Sequence, residues 1–274
     1  MTESRRHLLE IALRAHVVPV RVERKPGARF DGPKWSNPVL IFDTETTVDT
    51  LQRFLFGSYR YCRWTEAGKL KCVEEGLIYA DDLERADPAG FKALEYYAKS
   101  RRADLSPGED GELQLRSRRN FLEKVLWPTA YKARGLIVGF NLPFDLSRLA
   151  FACGKARGWY RGGFSLSLWE YFDSKRNRYF DDPFRPRIRI KHINSKMAFI
   201  GLGPRRKLDP GDQIAGEPTF QGHFLDLRTL ASALTDKSYT LEKACIAFNV
   251  RKIGRRCASG FGGLLISQSH NSLS

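Results

Sequence analysis

At 274 residues, 42% of them hydrophobic, the chain is long enough to bury a sizeable core as one large domain or two small ones. Its 46 lysines and arginines against 31 acids leave a formal charge of +15, which points to a polyanionic partner, nucleic acid ahead of a membrane surface. Five cysteines, odd in number and without metal-ligand spacing, exclude a disulfide framework and a zinc site, and no run approaches the roughly 18 apolar residues of a membrane span.

In chain order, SRRHLLEIALRAH (4–16) has helical spacing but contains Glu10 and lacks a small-residue cleavage site, so it reads as a short amphipathic helix and not a leader. A polar Pro/Gly segment (23–37) follows. PVLIFDTETT (38–47) runs apolar and β-branched residues straight into two acids, as a buried strand with carboxylates at its end does. Extended runs at 52–64 and 70–80, with EAG as the turn between them, complete a three-stranded antiparallel start. Residues 88–102 and 115–133 have apolar positions three and four apart and predict two helices around the loop DLSPGEDGE (104–112).

LIVGFN (136–141) is a short apolar strand, with Asn141 as a helix cap and Pro143 in the first turn of the helix LPFDLSRLAFA. RPRIRIKHI (185–193) alternates, placing Arg187, Arg189 and Lys191 on one face and Ile188 and Ile190 on the other. FLDL (224–227) is a last strand, followed by the helical stretches RTLASAL and TLEKACIAF. The order predicts an α/β fold, a mixed sheet flanked by helices. Residues 1–37 form a helix and linker, 38–250 one domain with about 155–222 as an elaboration, and 251–274 an irregular tail. The thiols are expected to be reduced and the chain cytoplasmic.

Asp43 and Glu45, two apart at a strand end, point to one face, where like charges repel unless a hard divalent cation neutralises them. A stiff strand-to-helix corner at Asn141 to Asp145 can bring a third carboxylate to that pair. The bland alternatives are solvated acids at a strand end and, for Asp145, an acid favoured by the helix macrodipole.

IFDTET (41–46) resembles the first motif, and GFNLPFD (139–145) the second, of the DEDD 3'-5' exonucleases, the ribonuclease H-like superfamily that includes the proofreading domains of DNA polymerases. GHFLDLRTLASALTDKSYTLEKACIAFNV (222–250) is similar to the segment after the second motif in family B DNA polymerases. The resemblance spans about residues 38–250 and is specific as a combination. It implies a ribonuclease H-like fold and two divalent cations, Mg2+ or Mn2+. Asp43 would bridge the two, Glu45 would ligate one near the 3'-terminal nucleotide and Asp145 would serve the other. Thr44, Asn141 and Phe144 would position the strand. The implied substrate is the single-stranded 3' end of DNA, or of RNA, with nucleoside monophosphates as products and a polymerase or other replication protein as partner. In the family pattern Asp226 belongs to a fold-bearing strand, and His223 flanks the core.

The family's third motif, Tyr or His followed four or five residues later by Asp, is absent: no acid occurs beyond Glu242, and His270 has no acidic follower. The expectation is a truncated or frameshifted exonuclease, a degenerate homologue that still binds nucleic acid, or an enzyme completed by a carboxylate from elsewhere. Losing one ligand costs roughly 10²–10⁴-fold in rate. The rival readings are a non-catalytic nucleic-acid-binding protein, with the arginine-rich strand tracking phosphates and Trp159, Tyr160 and Arg161 stacking bases or packing beneath a loop, and a structural subunit of a replication or mobile-element complex.

Overall fold

A computed structural model describes residues 37–105, 111–205 and 220–250, all within one unit, 35–274. The predicted helix at 4–16, nearly all of 23–37, most of 201–212 and the tail 251–274 lie outside the described residues.

Strands β1 (Pro38–Thr46), β2 (Phe54–Trp64) and β3 (Leu70–Tyr79) form the predicted antiparallel meander. Gly68, at φ 69°, turns β2 into β3 and donates its N–H to the Thr65 carbonyl at 2.9 Å. Helices α1 (Leu83–Ala86) and α2 (Pro88–Ser100) follow, α2 opening on a proline that needs no amide partner and on Asp87, whose carboxylate accepts from Gly90 N.

The helix predicted over 115–133 starts later. Residues Gln114–Ser117 instead form β4, parallel to β3, and the Ser117 hydroxyl caps α3 (Arg118–Phe121) by accepting from Asn120 N. The helix continues through two wider π-turns, Leu122–Leu126 and Pro128–Lys132. Pro128 explains them: its ring has no N–H to donate and would crowd the preceding turn of an α-helix.

Next come β5 (Leu136–Gly139) and α4 (Leu142–Leu149). β6 (Ala152–Lys155), β7 (Phe164–Ser167), β8 (Glu170–Asp173), β9 (Arg178–Asp181), β10 (Ile188–His192) and β11 (Ala198–Leu202) form the elaboration. The described residues close on β12 (His223–Asp226), α5 (Leu227–Thr235) and α6 (Leu241–Ala247).

The main sheet has the order β12-β5-β1-β2-β3-β4, with β5 and β12 parallel to β1. This is the expected mixed sheet flanked by helices. A second antiparallel sheet, β11-β10-β7-β6, and a separate β8–β9 hairpin arise between α4 and β12. Ile188 and Ile190 are buried as the alternation predicts, in the same cluster as Leu40, Phe42, Phe121, Leu142 and Leu146. Each such side chain contributes about 1.5–3 kcal/mol on burial. Val39, Cys62, Cys72, Leu136 and Val138 form another core cluster. Among the described residues no helix is long and apolar enough to cross a membrane. Because β1, β5 and β12 are parallel, their carboxyl ends share one sheet edge, where open α/β sheets bind ligands.

Candidate active site

Along β1 the burial alternates, so Thr44 is buried while Asp43 and Glu45 lie exposed on the opposite face. Pairing of β1 with β5 ends at Ile41. Beyond that point Thr44 turns its polar groups to α4: its N–H donates to Asp145 Oδ1 at 3.2 Å and its hydroxyl donates to the same oxygen at 2.7 Å.

The corner between β5 and α4 is built on Asn141, which adopts the left-handed region (φ 73°) that asparagine tolerates better than most residues. Asn141 stands at the cap position, but its side chain makes no cap bond, contrary to the expectation. The nearby carboxylate of Asp226 takes the corner's donors: Oδ1 accepts from Asn141 N (2.8 Å) and Leu142 N (2.9 Å), while Oδ2 accepts from Thr229 N (3.0 Å) and Thr229 Oγ1 (2.6 Å). Asp226 thus ties β12, the corner and α5 together, the fold-bearing role expected of it. Asn141 Oδ1 accepts instead from Arg228 Nη1 at 3.2 Å. Its backbone carbonyl accepts from Phe144 N and Asp145 N. Phe144 is half-buried beneath the Arg148 guanidinium, 4.6 Å from its ring centroid.

Asp145 is 2% exposed, and its carboxyl is pushed up to about 7. Burial is the main cause, opposed by the Thr44 hydrogen bonds and reinforced by the charges of Asp43 and Asp226. Asp43 and Glu45 reach solvent, yet the protein around their carboxyls raises both by desolvation; the Thr44 amide partly offsets this at Asp43, and the Asp43 charge adds to it at Glu45. Asp145 Oδ2 is buried without a hydrogen-bond partner. Such an orphan costs about 1–3 kcal/mol unless a proton or a cation satisfies it. The donor set, all carboxylate oxygen, has the chemistry of a hard divalent cation site. Among the described residues no group of three or more His, Cys, Asp or Glu side chains stands close enough to hold a metal ion, and Asp145 Oδ1 is engaged by Thr44.

The other candidates divide. Trp159 is 80% exposed, whereas Tyr160 is 7% exposed and belongs to the core, the packing alternative for that ring: the 3-10 turn Gly158–Tyr160 sends the two adjacent rings to opposite environments. Arg187 is in an ion pair with Asp181, whose Oδ2 accepts from its Nε at 3.0 Å and Nη2 at 2.5 Å. Arg189 and Lys191 remain on the partly exposed face of β10, Lys191 donating to the Trp159 carbonyl at 3.3 Å. His223 packs its ring 5.3 Å from that of Phe220 and is held below its ordinary value by burial and then by the Arg134 charge, a core-flanking histidine as expected.

Arg228 was not among the sequence candidates. Its local signal is weak, a single arginine after FLDL, and its partner is 87 positions away. Asp226 had a readable signal in D-x-x-T ahead of a helical run, the pattern of an N-cap. No protein-family model matches the chain, and no curated protein matches it either. What stands is an α/β protein with three carboxylates of raised affinity for protons at the carboxyl edge of its sheet.

Proposed function

We propose that this chain is a ribonuclease H-like protein of the DEDD 3'-5' exonuclease type, acting on single-stranded ends of nucleic acid. The observation that carries the reading is the buried Asp145, with one oxygen fixed by Thr44 and the other without a partner, facing the electrostatic influence of Asp43. The antiparallel start followed by two strands parallel to β1 supports it, since it brings the two motifs to one edge. Asp43, Glu45 and Asp145 would hold the divalent cations. A divalent cation such as Mg2+ or Mn2+, if held by these carboxylates, would supply an acidified water and would offset the charge that grows on a phosphodiester. The chain's own residues do the rest: Thr44 orients Asp145 and Asp226 fixes the corner, while Asn141 and Phe144 would position the strand.

Release of mononucleotides from 3'-labelled single-stranded DNA, with Mg2+ or Mn2+, tests the reading against Asp43→Ala. Metal-dependent release that the substitution abolishes supports it. Release that survives the substitution places the chemistry elsewhere. Binding without any release favours the second reading, a nucleic-acid-binding protein, which the lack of a closed three-ligand group among the described residues also favours.

A further inference from the structure

We propose that Arg228 is a phosphate-binding residue of this carboxylate edge, taking a phosphate group of the nucleic-acid strand; the inference rests on the nuclease reading above. A guanidinium carries five N–H donors and normally spends them when it is partly buried. Arg118 does so, reaching Asp81, Glu170 and the Leu149 carbonyl. Arg116 pairs with Glu74, Arg185 with Glu123 and Asp182, and Arg187 with Asp181.

Arg119 and Arg148 also bury an Nε without a partner, but Arg119 pairs with Glu170 at 3.6 Å and Arg148 reaches the Leu51 and Gln52 carbonyls, and Arg228 has less than either. Among the described residues it makes one hydrogen bond, to the neutral Asn141 Oδ1, and its Nε is buried with no partner. The carboxylate two positions earlier is not available to it, because both oxygens of Asp226 are taken by the corner amides and Thr229. A half-buried cation with most of its fork unspent is matched by an anion with two adjacent oxygens, which a phosphate offers.

Its position gives that anion a use. Asn141 accepts from Arg228 through its side chain and from the Asp145 N–H through its backbone carbonyl, so Arg228 and Asp145 share a partner at the corner between β5 and α4. Three carboxylates at one edge repel a phosphodiester. A fixed positive charge at the same corner offsets the repulsion and donates to a phosphate oxygen from its terminal nitrogens.

The test is the affinity of the full chain for fluorescein-labelled oligothymidylate in EDTA, by anisotropy over a salt series, with thermal melts of each variant. Arg228→Met is expected to weaken binding about tenfold or more. It should also flatten the slope of log K against log salt by about 0.7, the single-strand value for one phosphate contact. Arg228→Lys keeps the charge and should keep the slope. Should the methionine variant not fold, Arg228→Gln, which retains a donor for Asn141, is read in the same way.

A folded Arg228→Met with the wild-type affinity and slope overturns the proposal, as does a slope lost equally in Arg228→Lys. Because EDTA stops turnover, the outcomes separate. Mononucleotide release with an unchanged slope in Arg228→Met sinks this inference alone, while a lost phosphate contact in a chain that releases nothing sinks only the nuclease reading.

Discussion

Burying Asp145 against Thr44 leaves a carboxyl that ionises at about 7 and an oxygen without a donor. The folded-state value lies above the ordinary 3.8, so the folded chain holds a proton that the unfolded chain has released. The stability tied to this group is therefore complete below 3.8 and is lost as pH rises through about 7. By linkage the loss is on the order of a few kcal/mol. Asparagine at this position keeps an oxygen to accept from Thr44 and cannot ionise. In EDTA, Asp145→Asn should raise the melting temperature over wild type clearly more at pH 8 than at pH 5, because at pH 5 only part of the loss has set in. An equal change at both pH values would show that Asp145 does not carry the strain assigned to it. The same residue explains part of what the sequence concealed. Asp145 in the first turn of α4 followed from the Asn-x-Pro corner, but the Thr44 contact lies 101 positions away and no local pattern encodes it.

Between elements, the closest approach near the site is that of β2 to the end of β1. A Cβ on Gly57 would lie 2.5 Å from the Asp43 backbone oxygen and 3.4 Å from Thr44 Cα, so the two strands sit closer than any side chain allows. Gly57→Ala should destabilise the chain by about 1–3 kcal/mol in urea unfolding. In Gly154→Ala the added methyl meets nothing within 4 Å, and the cost should stay within about 0.5 kcal/mol. Equal effects of the two would contradict the strand geometry at Asp43. Elements defined by their own pattern were legible: the meander from its apolar and β-branched runs, α4 from its Asn and Pro, β10 from its alternation. β4 was not, because Gln114–Ser117 continues the helical spacing of the residues after it and becomes a strand only by pairing with β3, some 38 positions earlier in the register Gly76↔Gln114. The Trp159 and Tyr160 pair left stacking and packing open for another reason. Two adjacent aromatic residues carry no information on which one turns inward.

Across the whole molecule, the formal surplus of +15 charges favours a polyanionic partner. The second sheet shares the main core through Leu166, Ile188, Ile190 and Leu202 while leaving Trp159 in solvent. Trp159→Ala should weaken single-strand binding by about 1–3 kcal/mol, read by anisotropy, with an unchanged melting temperature. Tyr160→Ala should lower the melting temperature, because it empties a core position. A reversal of these two effects would overturn the assignment of the rings. The central claim concerns the carboxylates, and calorimetric titration of the full chain with Mn2+ at pH 5.5 and pH 8 tests it most directly. The account predicts that Mn2+ binds, more tightly at the higher pH and with release of protons, and that Asp43→Ala and Asp145→Asn each weaken it. Absence of binding at both pH values, or binding that neither substitution alters, would contradict it.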